Sequence, residues 1–515
     1  MNRNILFFSK SGYAIVLFVL CACSNESSYL PIDEDFCRQI HPAQFQPLSY
    51  QLAPLQERIL KQTGVVALEE GDGSMVARAW LTESAETSID IQYFIFSADN
   101  IGLIAVDYLL RAADRGVKVR ILVDDIMVEA DADDLVALDK HPNMEIKIYN
   151  PTANIGKNLP VKLYKLTTDF REFNQRMHNK TFIVDGKVAI TGGRNMADEY
   201  FDYDHEYNFR DRDVLLIGQA THAMQNSFEQ FWSSPLSVSV SELVEVSDAE
   251  LNLEAKYEYL RQYACNPENF WPQIREKIVS VPAAFEQLQL RGDVSWTDSV
   301  YFVSDVPGKN NGTKGLAGGG VITDSLISLI QNAKSTIYIQ SPYLITTNLG
   351  LNLFREAIAR GVTVKILTNS LSSTDNLEAF SGYKRDRENL LNTGIKIFEF
   401  KPDAAVRFEI MTGALQKEIN YTPIFGLHAK SMVIDQGIAV IGTFNLDPRS
   451  ANLNTECMAV IYDNNVAKKL QQAMEVDMQS ENAWQTTLTF NPDAEAGWSK
   501  RFKVWLRGVV PKSIL

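Results

Sequence analysis

The sequence predicts an α/β fold of two similar domains, each a mixed, mostly parallel β-sheet flanked by helices, packed with pseudo-twofold symmetry. Two observations predict it. The polar framework of HNKTFIVDGKVAITGGRN (178–195) returns in HAKSMVIDQGIAVIGTFN (428–445). His178, Lys180, Asp185 and Asn195 are each displaced by 250 residues, to His428, Lys430, Asp435 and Asn445. Upstream of each copy the same alternation recurs. TSIDIQYFIFS (87–97) precedes GLIAVDYLLRAADRGVKVRILVDD (102–125), and STIYIQSPYLI (335–345) precedes GLNLFREAIARGVTVKILTNS (350–370). A chain of 515 residues exceeds one core, and a single fixed period means two copies of a domain rather than a solenoid.

The chain opens with MNRNILFFSKSGYAIVLFVLCACSNESS. Arg3 and Lys10 precede an apolar run, Tyr13 to Leu20, too short to span a bilayer but suited to a signal-peptide core. The following Leu20-Cys21-Ala22-Cys23-Ser24 resembles a bacterial lipobox. Residues 1–22 then form a lipoprotein signal peptide and Cys23 becomes the lipidated terminus. The expected location is the periplasmic side of a bacterial envelope, anchored to the outer membrane (Ser24 resembles that sorting class) or the inner one. Residues 23–50 read as a tether.

The first domain is expected over 51–235. Alternating Ile and Tyr mark its strand at 87–97, apolar residues at helical spacing mark the helix, and Arg-Gly stops it before Val-x-Val-x-Ile-Leu. That order implies parallel strands joined by right-handed crossovers. KTFIVDGKVAIT then reads as a hairpin turning at Asp185-Gly186. Residues 236–295, including DAELNLEAKYEYLRQYA, have no counterpart and read as a bridging insert. The second domain follows over 296–490. Its GKNNGTKGLAGGG (308–320) lacks the Gly-Lys-Ser/Thr ending of a phosphate loop and reads as a mobile loop. Residues 491–515 form a basic amphipathic segment. In WSKRFKVWLRGVVPK (498–512), Trp498, Phe502, Trp505, Leu506 and Val509 share a helical face and five cations accompany them with no acid. Such a helix suits an anionic lipid surface, or docks on the body with its basic face solvated.

Composition narrows the function classes. With 45% hydrophobic and 22% charged residues the chain is globular. A formal charge of −15, made more negative by loss of Arg3 and Lys10 with the signal peptide, does not suit a protein that grips nucleic acid by counterion release. Cys37 and Cys265 can pair in an oxidising compartment, and Cys457 in CMAVIY reads as core. Without a CxxC pair or a His cluster, no zinc site is expected. His41, His141, His205 and His222 lie outside the repeats and read as surface or turn residues.

Residues two apart on a strand project from one face, so each copy presents an imidazole and an ammonium together. Two such sets converging on one pocket suit phosphodiester chemistry. One imidazole attacks phosphorus to form a phosphohistidine, and the other passes the proton to and from the leaving and entering oxygens. Lys180, Lys430, Asn195 and Asn445 would hold the non-bridging oxygens. With two ammoniums present, no metal or other cofactor is expected. Gly193 and Thr443, beside the asparagines, are expected at the phosphate too.

H-x-K-x4-D followed by Gly-x-x-Asn, twice, resembles the HKD motif of the phospholipase D superfamily. DFREFNQRMHNKTFIVDG, LTNSL, GIKIFEFKP and FNLDPRSANLNTE most resemble bacterial cardiolipin synthases of the third, periplasm-facing kind, from about residue 50 onward. The resemblance implies two phospholipase D-type domains, phosphatidyl transfer between phospholipids, His178 as nucleophile and His428 as acid and base. The repeat symmetry by itself leaves those two roles open. The resemblance also implies a carboxylate orienting each imidazole: Glu456, and Asp211 with Asp213 as competitor. Asp185 and Asp435 complete the catalytic motif, although their turn positions favour a structural role. Phospholipids and a membrane surface, reached through Cys23 and the C-terminal helix, are the expected partners; nucleic acid is not. Hydrolysis to phosphatidic acid, a periplasmic nuclease and an idle lipid-binding lipoprotein are the alternatives.

Overall fold

The computed structural model describes residues 33–42, 45–125, 132–151, 174–244, 252–290, 292–310, 317–411 and 423–515. The signal peptide and Cys23 lie outside the described residues. The first half carries β1 (Thr63–Leu68), β2 (Ser88–Tyr93), β3 (Lys118–Asp124), β4 (Met144–Tyr149), β5 (Thr181–Val184), β6 (Val188–Gly192), β7 (Tyr207–Arg210), β8 (Asp213–Gly218), β9 (Ser237–Ser239) and β10 (Ser295–Thr297). The second carries β11 (Val300–Ser304), β12 (Thr336–Gln340), β13 (Thr363–Asn369), β14 (Lys396–Phe400), β15 (Ile424–Leu427), β16 (Ser431–Ile434), β17 (Ile438–Gly442), β18 (Cys457–Tyr462) and β19 (Ala483–Thr486).

The expected strand–helix–strand units are present in both halves. Helix Asn100–Asp114 joins β2 to β3, and helix Asn348–Ala359 joins β12 to β13. Each begins on a side-chain cap: Asp99 accepts from the Gly102 amide (2.9 Å) and Thr347 from the Gly350 amide (3.1 Å). Each ends at a left-handed glycine, Gly116 (φ 95°) or Gly361 (φ 89°), which is why Arg-Gly stops the helix. The first sheet runs β10-β1-β8-β6-β5-β2-β3-β4-β9 and the second β11-β18-β17-β16-β12-β13-β14-β19. The crossover strands β2-β3-β4 and β12-β13-β14 pair in parallel. Hairpins and edges add antiparallel pairs, so five strands of each sheet share one direction without all lying side by side.

The boundary at 235 needs correction. β9 pairs with β4 exactly where β19 pairs with β14 in the second half, and β10 extends the first sheet beyond β1. The insert therefore belongs to the first domain, and its helices Pro272–Val279 and Ala284–Leu290 pack on helix Gly71–Ser84. The tether is not loose throughout either. Helix Glu34–Ile40 buries Phe36 and Ile40, and its Cys37 is disulfide-bonded to Cys265 of the insert. His41, expected at the surface, has a buried side chain, with Nδ1 2.6 Å from a Glu83 oxygen and Nε2 3.4 Å from Asp107. Nothing in a lone histidine beside proline announces those distant carboxylates.

Asp185 and Asp435 each sit in the left-handed turn of a hairpin (φ 52°), a conformation aspartate tolerates. Asp185 accepts from the amides of Glu86, Thr87 and Ser88 (2.7–3.3 Å), Asp435 from those of Lys334, Ser335 and Thr336 (2.7–2.9 Å). Each carboxylate thus ties its hairpin to the start of the neighbouring β2 or β12. Burial pushes the Asp435 carboxyl up, but the amide donors of Thr336, Lys334 and Ser335 with the Ser335 hydroxyl together outweigh it and hold the group below its ordinary value.

The halves share an apolar core. Helix Ala220–Trp232 packs on β11 of the second half, helix Asn464–Asp477 reaches β1 of the first, and Phe228, Phe231, Leu470 and Met474 fill the space between the sheets. β7 and β15, one from each half, pair in parallel across the join. At the C-terminus, helix Trp498–Arg507 docks on helix Leu377–Leu391 through Val504. Of its segment's five cations, Lys500 donates to the Ser372 and Thr374 carbonyls (3.1 and 3.0 Å), Arg507 pairs with Glu378 and Lys512 with Asp386. Trp498, Phe502, Trp505, Leu506 and Val509 remain exposed.

Asp185→Ala or Asp435→Ala removes an acceptor from several amides at a strand start. Each is expected to lower stability by about 1–3 kcal/mol while leaving kcat within about twofold, read by denaturant unfolding alongside turnover. A collapse of kcat at unchanged stability would return these residues to the catalytic set.

Candidate active site

His178 and His428 stand just before β5 and β16, at the ends of strands that open toward the join between the halves. Both side chains are buried, and so are those of Lys180 and Lys430. The backbone pins each histidine to the opposite half. His178 N–H donates to the Thr455 carbonyl (2.9 Å) and His428 N–H to the Arg210 carbonyl (2.9 Å). The side chains repeat the exchange. His178 Nδ1 lies 2.9 Å from Glu456 Oε2, and His428 Nδ1 lies 2.6 Å from Asp211 Oδ2. Each half therefore orients the other half's imidazole.

A carboxylate only accepts, so both Nδ1 atoms carry the proton and both Nε2 atoms keep their lone pairs for chemistry. Burial pushes the imidazoles down, His178 to about 4 and His428 to about 3, with the orienting carboxylates opposing it. Both rings are neutral at rest. Burial also pushes the Lys180 ammonium down to about 8 and Lys430 to about 7, the latter aided by the Lys180 charge. The Lys430 charge also lowers His178, and the Lys180 charge lowers both His428 and Lys430, so the two sets lie close enough to feel one another. Asp211 and Glu456 are held below the ordinary carboxylate range by those cations and imidazoles, despite burial. Near neutrality Lys180 is mostly an ammonium and Lys430 about half protonated, facing two ionised carboxylates.

Lys180 Nζ donates to the His178 carbonyl (2.9 Å) and Lys430 Nζ to the His428 carbonyl (2.6 Å), which fixes where each ammonium sits. Lys430 Nζ is also 3.0 Å from His428 Nδ1, longer than the carboxylate contact that decides the tautomer. Aromatic rings wall both imidazoles: Phe94 lies 5.0 Å from His178, and Phe209 and Tyr200 lie 4.7 and 5.1 Å from His428, centroid to centroid. Asn195 Oδ1 accepts the Ile95 amide (3.1 Å), and the Asn445 amide donates to Ser450 (3.3 Å). Both asparagines are buried beside the motifs, as expected.

Gly193 and Thr443, expected at the phosphate, lie against the two orienting carboxylates. A Cβ on Gly193 would stand 2.0 Å from Asp211 Oδ1, so only glycine admits that carboxylate. The equivalent Thr443 gives its hydroxyl to Glu456 Oε2 and accepts from the Cys457 amide (3.0 Å). Of the two competing aspartates, Asp211 meets His428, whereas Asp213 accepts from Ser74 (2.7 Å) and Arg78 (3.0 Å) and orients neither imidazole. Asp185 and Asp435 stay at their turns, away from this group.

Several supporting residues carry no local signal in the sequence. Buried Arg212 donates to Glu69 (2.6 and 2.9 Å), to Gln340 (2.6 Å) and to Ser431 (2.9 Å), bridging the halves beside Asp211. Arg210 pairs with Glu69 (2.6 Å) and Asp477 (3.2 Å). Lys309, in the segment expected to be a mobile loop, is buried. Its Nζ donates to Asp305 (2.8 Å) and to the Ser450 and Asn454 carbonyls (2.8 and 3.0 Å), and Asp305 in turn accepts the Glu456 amide (3.1 Å). Residues 311–316 of that segment lie outside the described residues.

Residues 81–232 and 326–478 match the family model described as "Cardiolipin synthase, PLD-like domain", one copy in each half. The chain belongs to the phospholipase D-like cardiolipin synthase family. Among its relatives, cardiolipin synthase C of Escherichia coli K12 is 31% identical over 86% of this chain and 90% of that protein. An uncharacterised protein of Helicobacter pylori J99 is 31% identical over 87% of this chain and 86% of its own length. A Staphylococcus aureus cardiolipin synthase is 26% identical over 77% of this chain and 63% of its own. The crystal structure of phosphatidylserine synthase from Haemophilus influenzae shares the fold (TM-score 0.57, 12% identity, 90% of this chain and 100% of that one). This chain is an enzyme of the phospholipase D type, a phosphatidyltransferase.

Glu456→Gln or Asp211→Asn keeps the shape but lets the amide present N–H to Nδ1 and favours the wrong tautomer. Each is expected to lower kcat about 10- to 100-fold with KM within about threefold, and the double variant to lose less than the product of the two. Full activity in either single variant would contradict the orienting role.

Proposed function

We propose that the protein moves a phosphatidyl group from one phospholipid to the headgroup hydroxyl of another, making a cardiolipin-like lipid through a phosphohistidine. The observation that carries this reading is the pair of neutral imidazoles, each held at Nδ1 by a carboxylate of the other half, which leaves both Nε2 atoms for chemistry. In the first step His178 Nε2 attacks phosphorus, the bond to the headgroup oxygen breaks, and His428 gives that oxygen a proton. In the second step His428 takes the proton of the incoming hydroxyl, whose oxygen displaces Nε2 of His178. A phosphodiester brings one further negative charge into this buried pocket. That charge raises the pKa of both lysines and of His428, so the acid form of His428 arises with substrate bound. Lys180 and Lys430 hold the non-bridging oxygens as charge grows. The family resemblance supports His178 as the nucleophile.

A lipid substrate needs a membrane, and the C-terminal helix supports one. Its exposed aromatic face, with Arg501 and Lys503 also exposed, suits insertion among anionic headgroups. The helix stands close to the His428 side of the site. Lys500 grips the Thr374 carbonyl, the neighbouring Ser373 carbonyl accepts from Tyr207, and Tyr207 meets Phe209, which packs on His428. Lipidated Cys23 on the periplasmic side of the envelope would supply the second attachment.

Incubated with phosphatidylglycerol vesicles in chelator, the purified protein is expected to release glycerol and form a lipid with two phosphates. Phosphatidic acid with no such lipid would make it a hydrolase, and degradation of plasmid DNA without lipid turnover would make it a nuclease. His178→Ala and His428→Ala are each expected to lose at least about a hundredfold in kcat.

The pH profile has a defined sign. The ammonium is the form that holds phosphate, and it is lost as pH rises through the lowered lysine values of about 7 and 8. kcat/KM, which reports the free enzyme, is expected to fall as pH rises through 7 to 9. A flat profile to pH 9.5 would show that the lysines keep ordinary values.

A further inference from the structure

We propose that an apolar cavity in the first half receives one acyl chain of the phospholipid whose phosphate meets His178. This rests on the lipid reading above. The cavity, of about 450 Å³, lies between the sheet and three helices: Asn100–Asp114, Ala132–Asp139 and the insert helix Leu253–Ala264. Its wall is aliphatic, from Leu103, Val106, Ile121, Val123, Leu138 and Leu260. The charged pair Asp134 and Lys256 stands at the rim, partly in solvent. The volume lies within the roughly 300–1,000 Å³ of ligand sites, and an apolar cavity of this kind takes an apolar guest rather than ordered water.

Position selects the guest. The cavity reaches Phe96 and Ser97 on the connection that follows the carboxyl end of β2. Phe94, two residues earlier, packs on the His178 ring. Two residues of chain span at most about 7 Å, within the reach from a phosphorus atom across a glycerol to the first acyl carbons. The wall is also fixed in place: Tyr257 of the insert helix donates to the Ala137 carbonyl (2.8 Å) and Tyr263 to Asn100 Oδ1 (2.8 Å).

The cavity breaks the symmetry of the halves. In the second half the corresponding crossover helix, Leu377–Leu391, buries Phe380 and Tyr383 against the sheet. The insert helix that closes the cavity belongs to the first half alone. A chain site on the His178 side would seat the lipid that gives up its phosphatidyl group and leave the His428 side to the incoming hydroxyl.

Leu103→Trp and Val106→Trp fill the cavity without touching the catalytic groups. With long-chain phosphatidylglycerol in mixed micelles, kcat/KM is expected to fall about tenfold or more, whereas water-soluble dihexanoyl phosphatidylglycerol is turned over within about twofold of the parent rate. Unchanged long-chain activity, or an equal loss on both lipids with a native circular dichroism spectrum, would overturn the proposal. Should the variants misfold, the unaltered protein labelled with phosphatidylglycerol bearing a diazirine in its acyl chain decides. Adducts are expected on residues 96–106 and 253–260, and adducts confined elsewhere refute the site. Absence of turnover of either lipid by the unaltered protein would instead refute the lipid reading, and the labelling would still report on the cavity.

Discussion

The structure depends on a reciprocal exchange: Glu456 of the second half holds His178 of the first, and Asp211 of the first holds His428 of the second. The consequence is that neither half owns a complete site. A motif copy contributes the imidazole, the ammonium and the asparagine, but its tautomer is set from across the join. Duplication here is therefore more than a second dose of the same chemistry. It is the means by which each imidazole has its Nδ1 held by a carboxylate of the other half.

Holding that exchange in place requires charge to be buried, and the balance of terms is narrow. An ion removed from water without a partner costs several kcal/mol, so two ammoniums in one pocket would depart as protons or unfold the site if unopposed. The two orienting carboxylates oppose that cost, and burial still holds both lysines below their ordinary value. In the proposed reaction a phosphodiester would tip the site toward full protonation of the lysines and so tie substrate binding to readiness for proton transfer. Around this core, Arg210, Arg212, Glu69 and Asp477 fix the connection between β7 and β8 that carries Asp211, while Lys309 and Asp305 brace the segment before β18 that carries Glu456. The supports differ between the halves: Gly193 makes room for the shorter Asp211, where Thr443 hydrogen-bonds the longer Glu456.

The local parts of this design were readable in the sequence because they obey local rules. Alternating residues gave β2 and β12, Arg-Gly marked the helix ends, and Asp-Gly marked the first hairpin turn. The spacing of His and Lys placed both on one face, and the repeat offset carried each assignment to the second half. The remainder is set by contacts between residues hundreds of positions apart. No pattern near Glu456 says which histidine it faces, and none near Arg212 or Lys309 says that either is buried. His41 reads as a turn because its partners, Glu83 and Asp107, lie on helices far along the chain. The insert misled for a different reason: β9 and β10 are three residues each, too short for a periodic signal, and only their pairing assigns them to the first sheet.

The central claim, that both imidazoles act on one phosphorus, is tested most directly by a crystal structure of the protein grown with vanadate. The account predicts a single vanadate per chain, bonded through vanadium to His178 Nε2, with His428 Nε2 in hydrogen-bond contact with an oxygen on its opposite side. Two vanadates on separate histidines, or one that touches only a single half, would contradict it.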